Sequence, residues 1–343
     1  MKDRQAPKAR AVSRRRAEGG WAGQGTPQAC RSSFGPDRDP QLVRAARLLA
    51  VRSRRAAASP FAGAYTSAFR GGGLEFEESR PYAPGDDVRH MDWNATARTG
   101  TPFLKRFREE RDQTLLLLLD VSASMGFGSA GRTKAALAAH TAALLAAAAG
   151  FAGDRVGLVA FADRVELELP ARRGDAHVWS VVRAAVGAAA GSRGATGLAA
   201  ALGRVEALAK HRAIVVLLSD FRDEALLAEV AAHAGARVRL ASLARRHDVV
   251  AAVVLDPREE ELPASGPLRL VDAERPGRPL VIDASSKVVR ARYRAACLAR
   301  RRALERRLRA DGADLLRLRS DRDPLPALMR FFQAHAGRVH GGA

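Results

Sequence analysis

Five leucines, Leu115 to Leu119, follow the polar run Asp112-Gln113-Thr114 and end at Asp120. An unbroken apolar run between polar flanks predicts a strand buried on both faces, as in parallel sheets covered by helices. From Thr114 onward such runs alternate with stretches of helical period. The pattern predicts strands at 114–120, 155–161, 164–169, 213–219 and 248–255, with a weaker one at 314–319. It predicts helices near 133–150, 175–190, 197–210, 222–234 and 287–311. Strands and helices in this alternation place the chain in the α/β class, with a doubly wound, mostly parallel sheet flanked by helices, Rossmann-type in arrangement. Arg164 to Leu169 follows its neighbour after only Ala162-Asp163, so it is expected to be an antiparallel edge strand.

Upstream the pattern is less regular. Leu42, Ala45, Ala46, Leu48 and Leu49 recur at helical spacing within 41–55. Residues 59–113 are rich in aromatic residues and carry the turn signals Gly71-Gly72-Gly73 and Pro84-Gly85-Asp86, so short strands or irregular structure are expected there. Residues 1–40 mix Arg, Gly, Pro and Ser without periodicity and are expected to be disordered. Residues 257–282 read as an insertion with a hairpin, and 235–247 fits either strand or helix. The expected organisation is a basic tail at 1–40, an irregular N-terminal module at 41–112, and the α/β domain at 113–335 with its insertion near 257–282.

Ala135 to Ala152 is the longest apolar stretch. His140, Thr141 and Gly150 interrupt it, and it reads as a buried amphipathic helix rather than a membrane span. No secretory signal or transmembrane segment is expected. Cys30 and Cys297 are the only cysteines and have no metal-ligand spacing, which fits a reducing compartment and argues against a disulfide framework.

Charge adds a second question. The 343-residue chain carries a formal charge of +20. Residues 1–55 hold 14 Lys/Arg against 4 Asp/Glu, and residues 287–322 hold 13 against 4, so two segments account for nearly all of it. Nucleic acid or an acidic membrane surface would suit such segments. Arg outnumbers Lys 51 to 6, however, as a biased coding sequence would give, and no series of aromatic residues among the arginines offers a stacking platform. Nucleic acid is therefore not the expected partner.

The candidate chemistry lies where the strands stop. Asp120-Val121-Ser122-Ala123-Ser124 begins at the last residue of the leucine strand, and in open α/β sheets ligands bind at the carboxyl ends of strands. The strand Ile214 to Leu218 ends at Ser219-Asp220, and Gly194-Ala195-Thr196 forms a loop before the helix starting near Gly197. Asp120, Ser122, Ser124, Thr196 and Asp220 can thus meet at one sheet edge. Hard oxygen donors with two carboxylates suit a hard divalent cation, Mg²⁺ or Mn²⁺. Each residue has a plainer use as well, since Asp, Ser and Thr commonly cap the following turn or helix.

These five positions resemble the metal-ion-dependent adhesion site of von Willebrand factor A domains, which has Asp-x-Ser-x-Ser, then a Thr, then an Asp. The resemblance implies a von Willebrand A-like domain whose metal recruits a partner's acidic residue, with no bond made or broken. It also implies that the chain is not an enzyme. Upstream, Glu75-Phe76, Arg80-Pro81-Tyr82-Ala83-Pro84-Gly85-Asp86-Asp87-Val88-Arg89, Met91-Asp92-Trp93 and Ala97-Arg98 resemble the signature of a bacterial group called domain of unknown function 58. Leu255-Asp256-Pro257-Arg258-Glu259 and the Arg-rich helix at 287–311 resemble that group too. This second resemblance implies a MoxR-type AAA+ ATPase, or a client it shares, as partner in a chaperone-like role. Many members carry two transmembrane helices before the signature; this chain departs from them, and a cytoplasmic form is expected. The signature itself could be a turn scaffold pinned by charge pairs of Asp86 or Asp92 with Arg, or a docking surface.

Several rivals can be set against this reading. Gly126-Phe127-Gly128-Ser129-Ala130-Gly131-Arg132-Thr133 nearly fits a phosphate loop, but the lysine position holds Arg132, and Ser122, Ser124 and Thr196 are left without a role. An aspartate-nucleophile phosphatase would want an Asp where Ser122 stands. No Gly-x-Ser-x-Gly elbow and no zinc spacing of histidines occurs. Val289, Tyr293, Cys297, Leu304 and Leu308 form a stripe expected to face the core. Trp93 and Trp179 are expected to pack, and His335 and His340 to lie exposed in a mobile tail.

Overall fold

The computed structural model describes residues 40–340 except 70–73, 84–85, 88–90, 110–112, 224–225, 227–234 and 276. Helix α1 (Pro40–Ala56) leads through a π-helical turn at Ala57–Phe61, which contains Pro60, into helix α2 (Ala62–Phe69). An antiparallel ribbon follows, β1 (Leu74–Pro81) with β2 (Phe103–Glu109), and the short helix α3 (Trp93–Thr99) lies between them in sequence. The expected basic tail falls outside the described residues.

The rest alternates as predicted: β3 (Thr114–Asp120), α4 (Lys134–Phe151), β4 (Arg155–Phe161), β5 (Val165–Arg172), α5 (Asp175–Ala189), α6 (Leu198–Leu208) and β6 (Ile214–Ser219). Then come α7 (Gly235–Arg246), β7 (Asp248–Leu255), a one-turn helix at Pro257–Glu260, β8 (Pro267–Leu270), β9 (Leu280–Asp283), α8 (Lys287–Ala310), β10 (Asp314–Arg319) and α9 (Pro324–His340). The central sheet has the order β10-β7-β6-β3-β4-β5. Its pairings are parallel apart from β4 with β5, the antiparallel edge expected from the two-residue connection. The chain runs outward from β3 to β5, then returns to the other side of β3 at β6. That reversal places a crevice at the carboxyl ends of β3 and β6.

The leucine run shows why both faces are covered. Side chains alternate along a strand, so Leu115, Leu117 and Leu119 enter one core and Leu116 and Leu118 the other. The first core holds α4, α5 and residues from α2 and α9; the second holds α6, α7 and the end of α8. Helix α4 is buried on nearly every face, because α1, α2 and α5 pack over the side that the sheet leaves free. The expected amphipathic pattern is therefore absent, and alanine's small side chain lets so many neighbours approach. This helix is long and apolar enough to cross a membrane, and here it lies inside the protein core.

Four expectations change. Phe61, Tyr65 and Phe69 belong to the first core, with Phe332 of α9 against all three rings at 5.5–5.8 Å, so the boundary placed at 112 does not separate α1 and α2 from the α/β body. His335 is not in an exposed tail: it is 9% exposed, its Nδ1 lies 3.0 Å from Asp314 Oδ2, and its ring packs on Phe69 and Phe331. Trp93 does not pack, being 70% exposed. Along α8 only Leu304 and Leu308 are fully in the core, while Val289, Tyr293 and Cys297 are half-buried. The ambiguous 235–247 is helix α7, the insertion carries the β8–β9 hairpin, and the predicted 222–234 helix lies mostly outside the described residues.

Candidate functional site

Of the five residues singled out at the strand ends, Asp120, Ser122, Ser124 and Thr196 are linked by hydrogen bonds, while Asp220 acts on Asp120 by its charge and bonds elsewhere. Ser122 Oγ lies 3.2 Å from Ser124 Oγ and 3.1 Å from Thr196 Oγ1, which unites two segments 74 positions apart. Asp120 and Ser122 are wholly buried, and Ser124 and Asp220 nearly so. The two loops are tied by backbone bonds from Ala123 N–H to the Gly194 carbonyl (2.9 Å) and from Arg193 N–H to the Val121 carbonyl (2.9 Å). Gly197 N–H donates to the Ala162 carbonyl at 2.7 Å. A Cβ at Gly197 would stand 2.6 Å from the Asp163 carbonyl oxygen, so only glycine lets the threonine loop lie this close to the end of β4.

Asp120 points into this protein interior. Its Oδ1 accepts the Ser122 N–H at 2.9 Å, and its Oδ2 accepts the Ser219 hydroxyl at 2.5 Å. Burial, then the negative charge of Asp220, push the Asp120 carboxyl up to about 7, against the hydrogen bonds from Ser219 and Ser122. Ser219 Oγ also accepts the N–H of Phe221, a buried residue held at φ +53°. A bulky residue in the left-handed region is uncommon, and such strain is found where the surroundings fix a functional loop.

Asp220 has a partner that the sequence did not suggest. Lys134, the first residue of α4, is wholly buried, and its Nζ lies 2.5 Å from Asp220 Oδ2 and 2.6 Å from Glu259 Oε1. Arg222 Nη2 reaches the same Glu259 oxygen at 3.1 Å. Beside this network a cleft of about 440 Å³ opens, lined among others by Arg222, Glu259, Tyr293, Arg301 and Arg319. Thr196 also has an unforeseen partner. Its hydroxyl donates to Glu274 Oε1 at 2.6 Å and its N–H to Glu274 Oε2 at 3.1 Å.

The capping alternative holds for the aspartates only in part. Asp120 and Asp220 each accept the N–H two residues on, and both have further partners. Ser122 precedes the 3₁₀ turn Ala123–Gly126 but makes no side-chain cap bond, and Gly197 rather than Thr196 stands at the start of α6. The hydroxyls of Ser122 and Thr196 are therefore directed at each other and not at helix ends.

The glycine-rich loop has other work than cradling phosphate. Ser129 N–H and its hydroxyl both donate to Asp256, and Ser320 Oγ donates to the same carboxylate at 2.6 Å. Arg132 donates to the carbonyls of Ser320 and Arg322, and Thr133 caps α4 by accepting the Ala136 N–H at 3.1 Å. The loop thus pins the start of α4 to the ends of β7 and β10.

Whether a divalent cation suits this donor set can be asked of the oxygen spacing. Neighbouring oxygens around an ion with bonds of roughly 2.0–2.1 Å lie about 3.0 Å apart. The hydroxyl spacings of 3.1 and 3.2 Å are close to that. Acidic groups stand on both sides of the hydroxyls: Glu274 on Thr196, and Asp120, which the negative charge of Asp220 reaches, beside Ser122. The hydroxyl spacing is compatible with an ion of the size of Mg²⁺ or Mn²⁺. Among the described residues no cluster of three His, Cys, Asp or Glu side chains is placed to hold a metal, so the hydroxyls are essential to this fit.

Around the upstream signature the turn scaffold is visible. Arg80 pairs with Asp86 at 2.7 Å, and Asp86 Oδ2 accepts the Ala83 N–H at 2.9 Å. Asp92 caps α3 through the N–H groups of Asn94 and Ala95, and it accepts the Ser79 hydroxyl at 2.6 Å rather than pairing with an arginine.

Comparison with known proteins gives a consistent but reticent picture. A family model described as "Protein of unknown function DUF58" matches residues 78–303. Uncharacterized proteins of Mycobacterium tuberculosis and Mycobacterium bovis are each 35% identical over 297 residues, covering 85% of this chain and 89% of theirs. Among solved structures, the conserved hypothetical protein BatB from Bacteroides thetaiotaomicron aligns with 65% of this chain and 98% of its own, at 16% identity and a TM-score of 0.41. An aerotolerance-related membrane protein from Bacteroides fragilis aligns with 66% and 99%, at 16% identity and a TM-score of 0.40.

Proposed function

Since the chain belongs to the protein family of unknown function DUF58, its activity has to be read from its own side chains, and we propose a non-enzymatic, metal-dependent docking protein. In this reading the domain is von Willebrand A-like. Ser122, Ser124 and Thr196 hold Mg²⁺ or Mn²⁺ through their hydroxyls, and Asp120 and Asp220 supply the negative charge. The ion supplies Lewis acidity toward a carboxylate brought by a partner.

One observation carries the proposal: the hydroxyl oxygens of Ser124 and Thr196, from two separate loops, lie 3.2 and 3.1 Å from that of Ser122 at the carboxyl end of the central strand. A purely structural cluster would have less reason to bury Asp120 where its charge is costly. A divalent ion would hold that carboxylate ionised. The residue pattern resembling the von Willebrand A site and the DUF58 signature together suggest a MoxR-type AAA+ ATPase, or its client, as the acidic partner. A partner that binds only the loaded site makes capture dependent on metal occupancy.

The experiment is capture of the cognate MoxR-type ATPase by the purified chain in Mg²⁺ and in chelator. Capture should need Mg²⁺ and should be lost in Asp120→Ala, with circular dichroism unchanged. Capture that survives both the substitution and chelation removes the metal site as the binding surface.

A further inference from the structure

The loop between β8 and β9 reaches the candidate site through one side chain. Asp272 Oδ1 accepts the N–H groups of Glu274 (2.9 Å) and Arg275 (3.2 Å), forming a local turn in the loop. From that turn the Glu274 carboxylate takes both the hydroxyl (2.6 Å) and the N–H (3.1 Å) of Thr196. Glu274 is half-buried, whereas Asp272, Ala273 and Arg275 around it are exposed. The two hydrogen-bond partners of its carboxylate are both atoms of Thr196, an uncharged residue.

The half-buried Glu274 carboxylate takes its direct hydrogen bonds from an uncharged hydroxyl and N–H, while the charges of Arg275 and Arg222 act on Asp272 two residues away. A cation among Ser122, Ser124 and Thr196 would put a positive charge directly against that carboxylate, on the side where Thr196 holds it. Glu274 also stands where an incoming carboxylate would have to sit, beside the threonine that closes the hydroxyl group.

We propose that Glu274 is the chain's own carboxylate ligand for this site, and that an acidic partner binds by displacing it. The inference rests on the cation-binding reading above. The β8–β9 loop is then a built-in competitor that sets how strong an acidic partner must be to engage.

Mn²⁺ is a suitable probe, because the bound ion relaxes water protons in proportion to the waters it holds. The full chain, Glu274→Ala, Glu274→Gln and Asp120→Ala are compared. Loss of the Glu274 carboxylate should raise relaxation per bound ion by about 1.5-fold, as for two retained waters becoming three. It should also weaken Mn²⁺ binding by roughly 10-fold, with the glutamine variant weakened alike. Equal relaxation and equal affinity in wild type and both Glu274 variants overturn the role of Glu274; the cation site still stands if Asp120→Ala abolishes binding. Mn²⁺ that fails to bind the wild type, or binds Asp120→Ala equally well, overturns both readings.

Discussion

Replacing Lys134 with methionine is the sharpest perturbation the structure offers. The change keeps most of the side-chain volume, so no cavity opens, and it deletes only the ammonium. That ammonium is wholly buried between Asp220 Oδ2 (2.5 Å) and Glu259 Oε1 (2.6 Å), whose side chains are 2% and 16% exposed. Removing one partner of a buried ion pair leaves the other charge uncompensated, at a cost of about 3–5 kcal/mol. Both carboxylates keep Arg222, Glu259 at 3.1 Å and Asp220 at 3.8 Å, so the loss should lie near the lower end, about 3 kcal/mol. Urea unfolding in chelator, followed by circular dichroism, measures it. With Mg²⁺ at roughly 100 times its dissociation constant, a bound ion adds about 2.7 kcal/mol to whichever state it prefers. The variant should recover more of its stability with Mg²⁺ than the wild type gains, because Asp220 is then free to serve the ion. A loss under about 1 kcal/mol in chelator would show that Lys134 does not carry the buried charge balance. Equal Mg²⁺ gains in the two proteins would show that the ion and Lys134 do not share Asp220.

Gly197→Ala should push the threonine loop off the Asp163 carbonyl, weakening Mg²⁺ binding measured by calorimetry at least ~10-fold while costing about 1–3 kcal/mol of stability. Phe332→Ala should cost about 3–5 kcal/mol in urea unfolding, since its ring meets Phe61, Tyr65 and Phe69 in the first core. Burial raises the Asp256 carboxyl, but hydrogen bonds from Ser129 and Ser320 outweigh it and hold the group below its ordinary value of 3.8. A depressed carboxylate gives stability that is complete above the unfolded value and lost as pH falls through the folded one. Acid unfolding of Ser129→Ala/Ser320→Ala should therefore begin at higher pH than in wild type, with the two proteins converging at the acid extreme where both carboxyls are protonated.

The sheet was legible because its strands are buried on both faces and bounded by polar residues. Thr114–Asp120, Arg155–Phe161, Asp248–Leu255 and Asp314–Arg319 lie where the apolar runs predict. Residues 235–247 were ambiguous for a physical reason: Arg237-Val238-Arg239-Leu240 alternates like a strand, while Ala236, Leu240 and Leu243 recur like a helix. The helix spacing prevails, with those three buried and Val238 64% exposed. The convergence of Ser122, Ser124 and Thr196 could be anticipated because a parallel sheet gathers its strand ends. Lys134 and Glu274 could not, since a helix-start lysine and a loop glutamate look like solvent residues until tertiary contacts place them. Ser219, beside Asp220, carries no mark in the sequence either, because a strand-end serine has no distinctive spacing.

Calorimetric titration of Mg²⁺ into the purified chain, repeated on Asp120→Ala and Thr196→Val, addresses the central claim most directly. The account predicts a single saturable site in the wild type, abolished in the first variant and markedly weakened in the second, with both variants still folded by circular dichroism. Isotherms that coincide in all three proteins, or no saturable heat in the wild type, would contradict it.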